Sequence, residues 1–150
     1  MRTIKFRGKD IKTGEWVHGD LHVLCDRPHI HTEPTTYPFA GKRSFIDPDT
    51  IGQFTGLTDK DGKEIYEGDI LLWTRKNVHI EGRPRQDFSD KCIVYYDNGK
   101  RAFQFRYELR CGACVGYLDF DDDRADESYV EVIGNVFDDP GLIEKGRRDD

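Results

Sequence analysis

The chain has 150 residues, 36% hydrophobic and 35% charged, with a formal net charge of −6 and a pI near 5.4. That is the length of one ordinary domain with one modest core, and the acidic balance argues against an extended phosphate-binding surface. No apolar run approaches the roughly 20 residues needed to span a bilayer, and the opening "MRTIKFRGKD" lacks the apolar stretch of a secretory leader. The expected compartment is the cytoplasm, where Cys25, Cys92, Cys111 and Cys114 are thiols rather than disulfides.

Along the chain the signal is almost entirely of period two. "TIKFRGKD" alternates Ile4 and Phe6 against Thr3, Lys5 and Arg7, and after a turn at Lys12 to Gly14 "EWVHGDLHVL" alternates again. Together they predict an opening hairpin. From Asp26 to Asp49 the pattern dissolves among four of the six prolines, which predicts a long surface loop with at most a short edge strand. "TIGQFTGL" resumes as a strand, Asp61-Gly62 reads as a hairpin turn, and Glu67-Gly68-Asp69 bends the chain into the buried run Ile70 to Trp73. Residues 74–90 read as a second polar connection with local positive charge at Arg75, Lys76, Arg83 and Arg85. Then "CIVYYDNGKRAFQFRYELRC" predicts a hairpin closed at Asn98-Gly99. Parity there sets Phe103, Phe105, Tyr107, Leu109 and Cys111 against Lys100, Gln104, Arg106, Glu108 and Arg110. An acidic loop from Asp119 to Glu127, a strand "YVEVIGNVF" and a terminal turn opened by Asp and Pro complete the reading. The expected class is mainly β, a small bent sheet or SH3-like barrel with long loops and little helix.

Several stretches invite a chemical reading. The acidic "GLTDKDGKEIYEGDILLW" suggests a calcium loop, but with Gly62 at position 6 the ligand positions 1 and 12 fall on Leu57 and Gly68, which offer no side-chain oxygen. Glu64, Glu67 and Asp69 could form an acid/base pair only if they converged on a cleft, and turns favour such residues in any case. "CGAC" at Cys111 to Cys114 has the spacing of half a zinc site or of a redox motif, yet no second CxxC and no βαβ context accompany it, so packing thiols are the preferred reading. His18, Asp20 and His22 share one face of a strand and could begin a metal face, with His29 and His31 as weaker loop candidates. A solvated polar face is the simpler account. The strand "KRAFQFRYELR" and the basic residues 75–85 raise single-strand nucleic-acid binding, although the aromatics and charges alternate onto opposite faces. No catalytic, cofactor-binding or metal-binding residue is assigned.

The blocks "IKFRGKD", "GEWVHGDL", "TIGQFTGLTDKDGKEIYEGDIL", "VYYDNG" and "EVIGNVFDDPGLI" together resemble the YopX family of phage and prophage proteins. The resemblance implies a single domain over residues 1–150, mainly β with an SH3-like barrel, carrying a proline-rich insertion at about 26–49. It supplies no catalytic residues. The expected role is a non-enzymatic phage-associated accessory protein acting through an unknown phage or host protein partner or through self-association as a homo-oligomer. Nucleic-acid binding and metal binding through Cys and His are the alternatives, and no membrane is expected.

Overall fold

The computed structural model describes residues 3–32, 42–109, 112–117 and 125–143. Eleven strands run in chain order: β1 (Phe6–Lys9), β2 (Trp16–Leu24), β3 (Arg27–His31), β4 (Arg43–Phe45), β5 (Gly52–Thr58), β6 (Glu64–Tyr66), β7 (Asp69–Val78), β8 (Gln86–Asp97), β9 (Ala102–Leu109), β10 (Gly112–Tyr117) and β11 (Glu127–Asn135). Two 3-10 turns, Pro48–Thr50 and Pro140–Leu142, are the only helical pieces among the described residues. The fold is mainly β, as expected, and the described residues form two antiparallel sheets with no closed barrel among them. The chain divides into two compact units, residues 1–57 and 58–150.

In the first unit the strands run in the order β4-β3-β2-β1-β5. The opening hairpin forms as expected, with Phe6 opposite Gly19 and Lys9 opposite Trp16. Its turn is organised by Asp10, whose Oδ1 accepts from the Lys12 and Thr13 N–H groups at 2.7 and 3.1 Å. Gly8 and Gly19 are required by close approach: a Cβ at Gly8 would lie 2.0 Å from Ile46 Cγ2, and one at Gly19 would lie 2.0 Å from the His31 carbonyl oxygen. Buried Thr50 ties the 3-10 turn to β1, its hydroxyl accepting from the Lys9 N–H at 2.9 Å and donating to the Asp47 carbonyl at 2.7 Å.

The expected long loop over 26–49 is corrected here. Arg27–His31 and Arg43–Phe45 are strands that continue the sheet from β2, with Ile30 fully buried and Ile46 nearly so. Residues 33–41 lie outside the described residues. Proline did not forbid β3, because the Pro28 carbonyl still accepts from the Ile46 N–H at 3.0 Å. The two-residue turn before β3 consists of Cys25 and Asp26, with φ of 49° and 59°. This left-handed pair suits a tight hairpin, but neither residue is the Asn or Gly that would announce it.

The second unit holds a sheet in the order β10-β9-β8-β7-β11. Its core gathers Ile65, Leu71, Trp73, Cys92, Val94, Phe105, Val130 and Val132. Trp73 meets Phe105 edge-on at 5.3 Å between centroids and donates its indole N–H to Ser128 Oγ at 2.7 Å, so its polar end is satisfied where its rings are buried. The expected polar connection over 74–90 is also corrected. β7 runs on to Val78 and β8 begins at Gln86, leaving only 79–85 as the link. The charged run is tolerable in a strand because Arg75 lies over Trp73, 4.2 Å from the ring centroid, and pairs with Asp90 on β8. The β8–β9 hairpin forms, but its turn spans residues 98–101 and places Arg101 rather than Asn98 or Gly99 at positive φ. Asp97 Oδ1 claims the Gly99 and Lys100 N–H groups at 2.8 and 3.0 Å, which opens the expected two-residue turn. Gln104, on the face expected to be solvated, is fully buried. Its amide donates to Asp97 and to the Tyr95 hydroxyl and accepts from Lys100.

The acidic stretch after β5 is held by Asp59. Its Oδ1 accepts from the N–H groups of Asp61 and Lys63, each at 2.9 Å, and its Oδ2 accepts from the N–H of Val132 at 3.0 Å. The Lys60 N–H donates to the Val130 carbonyl at 3.0 Å, so the turn is stitched to β11 by both backbone and side chain. Gly62 turns with φ of 82°, but Asp61 does not share the positive φ, and the Asp59 N–H donates to the Lys63 carbonyl at 2.8 Å, so residues 60–62 make the turn where the two residues Asp61-Gly62 were expected. Burial alone would raise the Asp59 pKa, but three backbone donors outweigh it and hold the carboxyl below its ordinary 3.8. Asp69, 1% exposed, plays a parallel part by accepting from the Tyr66 N–H at 2.8 Å across the Gly68 bend.

Three predictions rest on these contacts and on the Cys25-Asp26 turn. Asp59→Ala strands three donors, one of them deep in the sheet, and should lower unfolding free energy by about 3 kcal/mol in urea titrations, since each buried unmade bond costs roughly 1–3 kcal/mol. A carboxyl depressed in the folded state contributes stability that is complete above its ordinary value and is lost as pH falls through it. The wild type should therefore weaken from pH 3.8 downward, and Asp59→Asn should weaken less over the same range. Replacing Cys25-Asp26 with Asn-Gly relieves two left-handed residues and should raise unfolding free energy by about 1 kcal/mol, read as a higher urea midpoint at unchanged slope.

Candidate functional site

The pairing of β2 with β3 sets Asp20 opposite His31 and His22 opposite His29, and β3 in turn sets His29 opposite Phe45 and His31 opposite Arg43. Because side chains alternate, all six lie on one face of the first unit's sheet. The three imidazoles form a closed cluster, with ring centroids 5.7 Å apart for His22 and His29, 4.6 Å for His22 and His31, and 5.1 Å for His29 and His31. His29 and His31 are 6% and 4% exposed, whereas His22 is exposed. His29 Nδ1 lies 3.4 Å from the Arg27 carbonyl, a contact that favours a proton on that nitrogen. His31 Nδ1 is buried without a hydrogen-bond partner among the described residues. Desolvation lowers the His31 pKa below its ordinary 6.5; His22, His29 and Arg43 push it further down, and Asp20 partly opposes them.

The sequence placed His18, Asp20 and His22 on one strand face and set His29 and His31 aside as loop residues. The structure brings His22 together with His29 and His31, while His18 lies one rung further on, opposite Arg7 of β1. The missed signal was positional. "HIH" alternates with the same period as "HGDLH", and two such runs joined by a tight turn must align their histidines across the hairpin. As the rings stand, no three His, Cys, Asp or Glu donors among the described residues are arranged to hold a metal ion.

The other candidates are occupied by structural work. Glu64 accepts from the Tyr66 hydroxyl at 2.7 Å, Asp61 and Glu131 each lie 3.3 Å from Lys60 Nζ, and Asp59 and Asp69 are spent on backbone donors. Cys92 packs in the core with its thiol 3.7 Å from the Leu71 carbonyl. Its pKa is pushed up to about 12, first by burial and then by Asp90, against the pull of Arg75. A thiol so protonated is a poor nucleophile and a poor ligand. Cys114 lies in β10 opposite Tyr107, while Cys111 and the stretch 118–124 of the acidic loop are outside the described residues. Of the basic residues that raised nucleic-acid binding, Arg75 pairs with Asp90, Lys76 with Asp87 at 2.8 Å and Arg85 with Asp126 at 2.6 Å. A phosphate would have to compete with a carboxylate at each.

One apolar feature stands out. Val23 and Leu24, at the tip of the β2–β3 hairpin, are 65% and 52% exposed, and Cys25 beside them is exposed as well. No helix among the described residues is long and apolar enough to cross a membrane.

No curated protein sequence matches the chain. Among solved structures, protein EF1440 from Enterococcus faecalis is similar at a TM-score of 0.50 and 24% identity, over 96% of this chain and 100% of that one. That likeness concerns the fold alone. The family model described as YopX protein matches residues 5–144, nearly the whole chain from β1 to the closing 3-10 turn. The chain belongs to the YopX family.

Proposed function

We propose that the protein is a non-enzymatic accessory protein of phage or prophage origin, working in the bacterial cytoplasm by association, and first of all by association with itself. The observation that carries this reading is the exposed tip of the β2–β3 hairpin, where Val23 and Leu24 present apolar side chains that the first unit does not cover. Exposed leucine or valine alone needs no explanation, but two adjacent ones at the end of a strand point to opposite faces and leave both sides of the hairpin tip apolar. The adjoining strand β4 stands at the margin of its sheet, and a margin strand offers backbone donors and acceptors to a second chain. A two-fold contact would use the same tip on both copies. Asp59, by contrast, is spent on backbone donors, and Arg75 and Arg85 are paired with Asp90 and Asp126.

Light scattering coupled to gel filtration tests the reading. The wild type should show a mass that rises with concentration to that of a dimer or larger assembly, and the Val23→Asp, Leu24→Asp double variant should remain at the mass of one chain. A wild type that stays monomeric up to its solubility limit, or a double variant that assembles equally well, would refute it.

A further inference from the structure

We propose that His22, His29 and His31 form a proton-operated latch: with neutral rings they hold β3 and β4 onto β2, and protonation on acidification drives that layer open. The geometry carries the argument. Three imidazoles lie within 4.6 to 5.7 Å of one another, and two are nearly buried. A charge on any one of them raises the cost of a charge on the next, and burial withholds the water that would soften the repulsion. The groups facing the cluster reinforce this. Arg43 on β4 stands opposite His31 and adds positive charge. On β2, Asp20 opposite His31 is the carboxylate across the rung, and His18 lies further along the same face. Among the described residues Asp20 is the carboxylate placed by register against the cluster, and one such group cannot neutralise three imidazolium rings and a guanidinium.

The buried, unpartnered Nδ1 of His31 points the same way. In the neutral ring it forgoes a bond, but in the charged ring it must donate and finds no acceptor among the described residues, so the protonated state is better satisfied once the layer parts and water enters. The lowered His31 pKa fixes the sign. A folded state that binds fewer protons than the opened one loses stability as pH falls through the ordinary histidine range toward the folded value. The layer that would open lies at the margin of the sheet. β4 has three residues and pairs with β3, and its other side is held at its end, where the Ile11 N–H donates to the Phe45 carbonyl at 3.0 Å; Ile30 and Ile46 are the buried apolar anchors. This inference stands apart from the association reading, since it needs only the first unit's own sheet.

Amide hydrogen exchange of the full chain between pH 8 and 5 tests it, with β7 and β8 as internal reference for the intrinsic pH dependence of exchange. Opening that takes up one proton changes its equilibrium constant about tenfold per pH unit. Protection in 27–31 and 43–46 should therefore fall below about pH 6.5 with a slope of one to three protons relative to the reference. His22→Gln, at an exposed position that puts folding at little risk, should reduce that slope, and His18→Gln should leave it unchanged. A flat wild-type ratio would overturn the latch. So would a slope that His22→Gln does not alter, or one that His18→Gln reduces as much as His22→Gln does.

Discussion

The carboxylate of Asp59 is the contact on which the second unit depends. Three backbone donors converge on it, two from its own turn and one from Val132, 73 residues away in sequence. Joining the turn to the last strand sets where β11 lies, and β11 delivers Val130 and Val132 to the core beside Leu71 and Trp73. Immediately beyond, the ladder with β7 slips between Val132 and Gly134, which reaims the chain toward the closing turn. At Gly134 a Cβ would lie 2.6 Å from Asp139 Oδ2 and 2.8 Å from Leu142 Cδ1, so a side chain there would have to displace both. Asn135 then caps the exit, its side-chain oxygen accepting from the Phe137 and Asp138 N–H groups at 3.0 Å each. A short acidic turn and a distant strand end thus form one structural device.

The first unit is organised by close backbone approach rather than by a buried charge. Gly8 admits Ile46 against β1, and Gly19 admits the His31 carbonyl against β2. The second of these sets how near β3 comes to β2, and with it how near the three histidine rings come to one another. Backbone spacing and imidazole chemistry are therefore linked: a side chain at position 19 would push apart the strands whose proximity makes the cluster.

Much of this was legible in the sequence, and the misreadings have physical causes. The opening hairpin, the turn at Gly62 and the Ile70–Trp73 strand announced themselves because alternation and left-handed glycine are local signals. The strands β3 and β4 did not, since Cys25-Asp26 makes a tight turn without the usual residues, Pro28 lies within β3 and Pro48 follows β4. The extension of β7 through Thr74 to Val78 was hidden because its charges are neutralised across the strand pair, by Asp90 and Asp87, where no linear pattern records them. Gln104 reads as a surface residue until Tyr95, Asp97 and Lys100 close around it. The histidine cluster shared the fate of β3, because a site assembled across a hairpin is invisible when the hairpin is read as a loop.

The same reasoning separates what marks this family from what it could do. "TDKDGKEIYEGD" is conspicuous because turns concentrate acidic residues and glycines, and here the acids are consumed by backbone N–H groups, a tyrosine hydroxyl and a lysine. A carboxylate that already accepts three N–H bonds has little basicity left for proton transfer and few lone pairs left for a cation. The histidines of β2 and β3 stand in the opposite condition. Their sequence context is unremarkable, yet one ring nitrogen is buried without a partner, and ordinary histidine pKa values lie where modest changes in acidity act. Residues whose bonding capacity is spent hold the fold, whereas residues with capacity in reserve can respond to their surroundings, and in this chain the second kind gathers on the β2–β3 face.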